Sequence, residues 1–462
     1  MTPQDVCSGS LALCSLPDGS AVSLCVNARI LVALRENGKE SLFVLCGGQI
    51  VRGIAFLRAP DGRLCVVSGG DGKFVAVQDV SLAKLLPVDK IELGDVGDDC
   101  GTMVFRTKPL PKRVMHVVVC DDATVLFADR FGEVFRLELA WNTDGTITTK
   151  ENEVAPAFLL QHFSAITVLF ASPLNSVPVR EGRESSRTPT VVQRVLTCDK
   201  DCHVRVSHYP ETYRIEQFLW TEAPQEVVTA VAEVRFVREG FTHFHFAVGT
   251  LNGKVHLWAA ESASATVGGT SAAPFALVGS LTSEQVQNEK AGGLLSLVHV
   301  ALSGEGSSAS EESELPRGIL AAYDGSRHVL YIPLEVCGDR TLSLGTHCIS
   351  KVCLESPPVA MVGFTADAAL AVLRNGRLQQ LRLTRTGCGA SIHVCGEQWL
   401  EGLSGLLQDR LCGVLHDIDI FCQWNFDVVD PRTRKRWKSD ASEGSDVSLG
   451  SNGVVEGTLG AG

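Results

Sequence analysis

No uninterrupted apolar stretch in this 462-residue chain reaches the roughly 18 residues needed to span a bilayer. Methionine and tyrosine are scarce, at four residues each. Positive charge is in deficit: 41 Lys and Arg face 53 Asp and Glu, for a formal net charge of −12. That excludes a protein that grips nucleic acid over its whole surface, because phosphate neutralisation needs a basic face. The start, Met1-Thr2-Pro3-Gln4-Asp5, carries an acid and no base, so it lacks the cationic opening of a signal peptide. Sixteen cysteines are scattered along the chain without that opening, which points to a reducing compartment and mostly buried free thiols. A secreted disulfide scaffold, a membrane protein and a collagen-like chain are excluded.

Catalytic signatures are missing as well. Gly249-Thr250-Leu251-Asn252-Gly253-Lys254 has one residue too few between its glycines for a P-loop and continues into Val255, where Ser or Thr should hold a metal. There is no Gly-x-Ser-x-Gly elbow, no His-Glu-x-x-His and no glycine fingerprint for a nucleotide or methyl donor. Cys198, Cys202 and His203 lack the second pair a structural zinc site requires, and Cys348 and Cys353 form no recognised pair. Buried thiols on strands explain them better. His243 and His245 share one side of a strand without a nearby third ligand, which fits polar packing. No metal and no cofactor is expected on this chain.

What the chain does have is turns. Asn37-Gly38, Asp71-Gly72, Asn252-Gly253, Asp324-Gly325 and Asn375-Gly376 each separate apolar or alternating runs, as two-residue β-hairpin turns do. Hairpins are expected over 30–44, 64–79, 123–137, 194–207, 245–258, 318–331 and 368–383. Several share a form in which a turn with Asp or Asn precedes Val-x-Val/Leu, as in Gly72-Lys73-Phe74-Val75-Ala76-Val77 and Gly253-Lys254-Val255-His256-Leu257-Trp258. Seven recurrences predict the inner hairpins of an all-β, seven-bladed WD40-type β-propeller over residues 1–425. Gly-His openings are lacking and one copy ends in Trp, so the repeats are degenerate. A β-sandwich with many hairpins is the competing architecture.

Long surface insertions are expected at about 180–190, 261–273 and 303–316, which are charged or low in complexity. Trp399, Leu400, Leu403, Leu406, Leu407 and Leu411 fall at helical spacing and predict a helix packed on the last blade. The segment 426–438 carries Arg432, Arg434, Lys435, Arg436 and Lys438, a candidate RNA contact or nuclear localisation signal, with a solvated charge run as the alternative. Residues 439–462 are rich in Ser, Gly and acids and are expected to form a disordered tail.

One segment is more specific. Val195-Leu196-Thr197-Cys198-Asp199-Lys200-Asp201-Cys202-His203-Val204-Arg205-Val206-Ser207-His208-Tyr209-Pro210 resembles the signature of the WD-repeat, non-catalytic subunit of eukaryotic tRNA (guanine-N7-)-methyltransferase. Asp199, Asp201, Arg205, Ser207, Tyr209 and Pro210 match that family's pattern. Lys200 stands for its Arg, and Cys198 and Cys202 replace a small residue and a Glu. Phe127-Ala128-Asp129-Arg130-Phe131-Gly132-Glu133-Val134-Phe135 is similar to a second family strand. Where the family shows Gly-His before the next blade, this chain has Trp220-Thr221-Glu222-Ala223-Pro224-Gln225.

The resemblance implies a subunit that performs no chemistry itself. It implies a partner that binds S-adenosylmethionine and forms N7-methylguanosine in the tRNA variable loop, and a location in the nucleus. It further implies that Arg205 engages a carboxylate of the catalytic subunit, with Lys200, Asp199, Asp201 and His203 beside it. The tRNA would be contacted mainly through the complex, and no membrane is involved. On the residues alone, Asp199 and Asp201 can brace the hairpin by holding backbone amides. A general WD-repeat scaffold for a chromatin or ubiquitin-ligase assembly shares the fold but gives no reason for the Asp199–Pro210 stretch.

Overall fold

In the computed structural model the described residues are 7–8, 11–16, 19–26, 28–36, 39–83, 101–121, 123–142, 147, 155–172, 175–177, 190–213, 215–219, 226–238, 241–260, 275–282, 292–302, 315–337, 341–346, 348–386, 389–399 and 411–412. They are almost wholly β, with one short 3₁₀ turn at Val80–Leu82.

Seven antiparallel sheets follow one another along the chain. Blade 1 spans residues 11–46, blade 2 residues 51–106, blade 3 residues 114–161 and blade 4 residues 166–219. Blades 5, 6 and 7 span 228–281, 294–353 and 358–399. In blade 6 the outer edge is shared by two strands, Thr341–Leu344 and Ser350–Cys353, each pairing with part of His328–Cys337. The first strand of every blade packs on the first strand of the next. The cycle closes because Leu11–Leu16 touches both Val51–Arg58 and Pro358–Thr365. A closed ring of blades is a β-propeller, and closure removes the long exposed sheet edges of a sandwich.

The apolar pattern follows from this stacking. Every blade is covered on both faces, so its strands bury side chains on either side, and the core lies in layers between blades. Leu126, Ala128, Val134, Leu160, Ile166, Leu169 and Val195 fill the space between blades 3 and 4. Leu196, Cys198, Val204, Val206, Phe246 and Val248 fill the space between blades 4 and 5. Blades approach so closely near the axis that a Cβ on Gly53 would stand 2.7 Å from Val117 N of the next blade.

In an antiparallel four-stranded blade, the turns between second and third strands emerge on the same face as the links between blades. Backbone bonds tie each link to a turn there: Asp71 N to Ile50 O at 2.9 Å, Lys200 N to Ala165 O at 3.0 Å and Arg374 N to Pro357 O at 2.9 Å. This turn face and the outer rim of blade 4 carry the residues of the candidate site.

All seven expected hairpins form, with two corrections. The 30–44 hairpin joins the third and fourth strands of blade 1, whereas the other six join second and third strands. The 30–44 hairpin has the expected two-residue connection between Glu36 and Lys39, but the connections of the other six are longer. In most blades a tight turn closes with an N–H three residues on, as in Gly253 N to Thr250 O at 2.9 Å, and the residue that closes it has positive φ. The expected helix near the C-terminus is not seen where it can be checked. Gly389–Trp399 is a strand and Leu411–Cys412 pairs in parallel with Cys7–Ser8, because Trp399 continues the outer edge of blade 7. The rest of that stretch, residues 180–189, 261–273 and 303–314, and the basic segment and tail at 426–462 lie outside the described residues. Cys46, Cys65 and Cys198 are buried free thiols, but Cys348 and Cys353 are exposed, since they sit on and beside the outer edge of blade 6.

Candidate functional site at the seam of blades 3 and 4

Asp199 ends the second strand of blade 4, and its carboxylate organises the turn that follows. Oδ1 accepts from the backbone N–H groups of Asp201 and His203, both at 3.0 Å. This is the Asx-type capping that short acidic side chains perform in turns. Asp129 does the same in blade 3, accepting from Phe131 N at 2.8 Å and Glu133 N at 3.0 Å. The two aspartates differ in what else reaches them. Burial pushes the Asp129 carboxyl up, with Lys112 only 3.6 Å away to offset it. Burial would raise Asp199 too, yet hydrogen bonds from His162 and the His203 amide hold it below the usual carboxylate range.

His162 is the residue the sequence concealed. It lies in the link between blades 3 and 4 and is buried. Its Nδ1 stands 2.8 Å from Asp199 Oδ2 and its Nε2 2.6 Å from Thr197 Oγ1. With the proton on Nδ1, the imidazole donates to the carboxylate and accepts from the threonine hydroxyl. The link, the second strand and the turn of blade 4 are thereby locked together. The expected Gly-His signal is absent because Gln161 precedes His162, but the chemistry requires only the imidazole. Blade 5 solves the same problem with the charge moved. Thr250 occupies the turn position, donates to Glu226 Oε2 at 2.6 Å, and Lys254 Nζ pairs with Glu226 Oε1 at 2.8 Å. The departure after Trp220 therefore ends in a buried glutamate where a histidine was expected.

Arg205 sits one strand further out, paired across the sheet with Thr197 on one side and Phe218 on the other. Strand alternation sends Val204 and Val206 into the layer shared with blade 5 and Arg205 and Ser207 toward blade 3. The guanidinium is half-buried. Its Nε donates to Ser207 Oγ at 2.9 Å and its Nη2 to the Thr212 carbonyl at 2.7 Å. Thr212 in turn donates to Leu159 O of blade 3 at 2.8 Å. Among the described residues no carboxylate pairs with Arg205, and burial alone pushes its pKa down. A partly desolvated cation held in place without a counter-ion is a poor stability device and a good receptor for one.

Exposed apolar groups lie on this edge of the blade and in the neighbouring link. Tyr213, Ile215 and Phe218 on the outer edge of blade 4 are 75%, 42% and 39% exposed, and Phe163 in the neighbouring link is fully so. Solvent-exposed aromatic rings on the same rim as an arginine have the composition of a binding hot spot.

The remaining expected site residues divide. Lys200 and Asp201 pair with each other at 3.4 Å on the turn face, and His203 places its Nδ1 3.0 Å from Asp199 Oδ2. Asp199 itself is 1% exposed, so it shapes the turn from within. Arg432, Arg434, Lys435, Arg436 and Lys438 lie outside the described residues. His245 is buried and accepts from Leu342 N at 3.0 Å, as polar packing requires. Among the described residues no group of His, Cys, Asp and Glu is placed to hold a metal ion.

The chain is similar to curated non-catalytic subunits of tRNA (guanine-N(7)-)-methyltransferase. It is 27% identical to that of Kluyveromyces lactis over 37% of this chain and 31% of the relative. It is 31% identical to that of Eremothecium gossypii over 27% of this chain and 22% of the relative. The matched stretch thus spans about a third of these relatives or less. No family model matches the chain. Among solved structures, a mitotic checkpoint complex chain and BBS1N in complex with ARL6DN align over 83% of this chain. They cover 92% and 94% of those chains, with TM-scores of 0.46 and 0.48 and identities of 12% and 10%. At those levels neither likeness decides anything.

Proposed function

We propose that this chain is the non-catalytic propeller subunit of a heterodimeric tRNA (guanine-N7-)-methyltransferase. The outer rim of blade 4 holds the catalytic subunit. The observation that carries the reading is Arg205: a half-buried guanidinium, fixed by Ser207 and Thr212, with no carboxylate of its own among the described residues. A carboxylate delivered by a partner completes its hydrogen bonding and fixes the partner's orientation, as charge-assisted bonds do when water is excluded. The names of the similar proteins supply the class of that partner.

In this reading the chain contributes no reacting group. S-adenosylmethionine is held by the partner, and the tRNA is bound mainly through the complex. The propeller keeps the partner competent by offering a preorganised surface at little ordering cost. The basic segment at 432–438 supports a nuclear location or an assisting RNA contact.

The direct test is methyl transfer to tRNA. Co-expression of this chain with a catalytic subunit of the class is expected to yield N7-methylguanosine in tRNA, and either chain alone is expected to yield little or none. Activity from this chain alone, or full activity of the partner without it, overturns the reading.

A further inference from the structure

The turn face of blades 2 and 3 carries a concentration of positive charge that the acidic chain shows nowhere else among its described turns. The segment after the outer strand of blade 2 crosses this face: Leu110 N bonds to Lys73 O at 2.6 Å, and Arg130 N bonds to Arg113 O at 3.1 Å. It thereby gathers Lys73, Arg106, Lys108, Lys112, Arg113 and Arg130 on one continuous surface. Three carboxylates accompany them. Asp71 is shared by Arg52 and Arg113, and Asp129 and Glu133 both face Lys112. Lys73, Arg106 and Lys108 are exposed and have no carboxylate partner among the described residues. In other blades most cations on this face have an acid: Lys200 pairs with Asp201, Lys254 with Glu226, Arg374 with Asp324 and Arg377 with Glu355, while Arg327 has none among the described residues and donates to the Leu354 carbonyl.

Two further features accompany the charge. Lys73 has φ +61, the left-handed region, at the turn position that Gly132, Gly253 and Gly376 occupy in blades 3, 5 and 7. A lysine there carries backbone strain that glycine avoids. Phe131, at the tip of the blade 3 turn, leaves 55% of its surface in solvent with Lys112 Nζ 4.7 Å and Arg130 Cζ 5.9 Å from its ring centre. An exposed ring flanked by cations offers a base a stacking platform beside phosphate partners. Arg106 is itself laid on the Phe74 ring, 3.8 Å from its centre, which fixes its position.

We infer that this surface binds the phosphate backbone of RNA, with Lys73, Arg106 and Lys108 as the phosphate contacts and Phe131 stacking on an unpaired base. The identity of the RNA as tRNA rests on the proposed function. The surface is separate from the rim of blade 4 that holds the partner. Backbone contacts of this kind carry little sequence information and position the nucleic acid, leaving recognition of the target guanosine to the catalytic subunit.

The test uses the assembled complex and a tRNA transcript in a filter-binding titration over a range of salt. The variant carries Lys73→Gly, Arg106→Gln and Lys108→Gln together; its first substitution relieves strain, so thermal stability is expected to hold or rise. Affinity for tRNA is expected to fall about tenfold or more near physiological salt. The slope of log K against log salt is expected to shrink by about 2 to 3, one step for each phosphate left without its cation. Phe131→Ala is expected to weaken binding with the salt slope unchanged. Co-elution with the partner is expected to be unaffected by either variant, which separates failure here from failure of the docking surface on blade 4. Unaltered affinity and slope in the triple variant overturn the inference. So does loss of the partner subunit in place of the tRNA, which would make the patch a protein interface.

Discussion

His162 Nδ1 lies 2.8 Å from Asp199 Oδ2, across 37 residues of sequence, and joins the link that enters blade 4 to the turn that blade displays. The pair sits beneath the proposed docking surface and holds up the strand bearing Arg205. Removing the imidazole by His162→Ala leaves a buried carboxylate short of a partner. Loss of a buried hydrogen bond to a charged group costs about 1.5–3 kcal/mol. Denaturant titration is expected to show that loss, with Asp129→Asn, whose site lacks such a histidine, costing less.

The same pair sets an acid limit. The Asp199 carboxyl is held below its ordinary value in the folded chain, so the unfolded chain binds the proton more readily. Its contribution to stability is therefore complete above about pH 4 and is lost as pH falls through the depressed folded value. Asp199→Asn is expected to lower stability at neutral pH and to flatten the fall in melting temperature on the acid side. An acid limb as steep as that of the parent chain would place the responsible carboxylate elsewhere.

Cys202 closes the blade 4 turn with φ +71, at the position taken by Gly132 and Gly253 in the neighbouring blades. Cys202→Gly removes the Cβ clash of a left-handed residue and is expected to raise stability by about 0.5–1 kcal/mol, net of the extra freedom glycine gives the unfolded chain. Melting curves of the two chains measure this directly. The opposite change in blade 5, Gly253→Ala, at φ +81, is expected to cost a similar amount.

Gly53→Ala tests the stacking near the axis. The added methyl would meet Val117 N at 2.7 Å and His116 C at 3.1 Å, backbone atoms that cannot swing aside. Forcing blades 2 and 3 apart is expected to cost about 1–3 kcal/mol in chemical denaturation. Gly62→Ala faces no such obstacle, since nothing lies within 4 Å of the added atom, though its φ of +89 carries a backbone penalty of its own.

Much of this architecture is legible in the sequence for a physical reason. Near-continuous apolar runs on both sides of an Asn- or Asp-containing turn are what a blade covered on both faces demands, so six middle hairpins could be read directly. Blade 1 misleads because Asn37-Gly38 falls between its third and fourth strands, while the two positions between its second and third strands carry no glycine. The C-terminal end misleads at Trp399, which lies on a strand, because spacing alone does not distinguish a strand from a helix over so short a run. At the site, Asp199 and Arg205 are visible because they lie on a hairpin of recognisable pattern. His162 and Glu226 are not, because their roles depend on the fold bringing an inter-blade link against a turn, and neither follows a glycine. The basic surface of blades 2 and 3 is hidden for the same reason: Lys73, Arg106 and Lys108 are spread over 36 positions and meet only when the segment crosses the face.

The most direct measurement is the affinity of the catalytic subunit for this chain carrying Arg205→Glu or Arg205→Lys. A carboxylate waiting for the guanidinium predicts that Arg205→Glu lowers affinity by about a hundredfold or more, consistent with the roughly 2–5 kcal/mol spanned by buried interfacial charge pairs. Arg205→Lys, which keeps the charge but loses the planar fork, should fall between. Both chains should melt no lower than the parent by more than about 1 kcal/mol of stability, because the guanidinium pairs with no acid among the described residues of the propeller. Parental affinity in a folded Arg205→Glu chain would contradict the account and move the partner to another face.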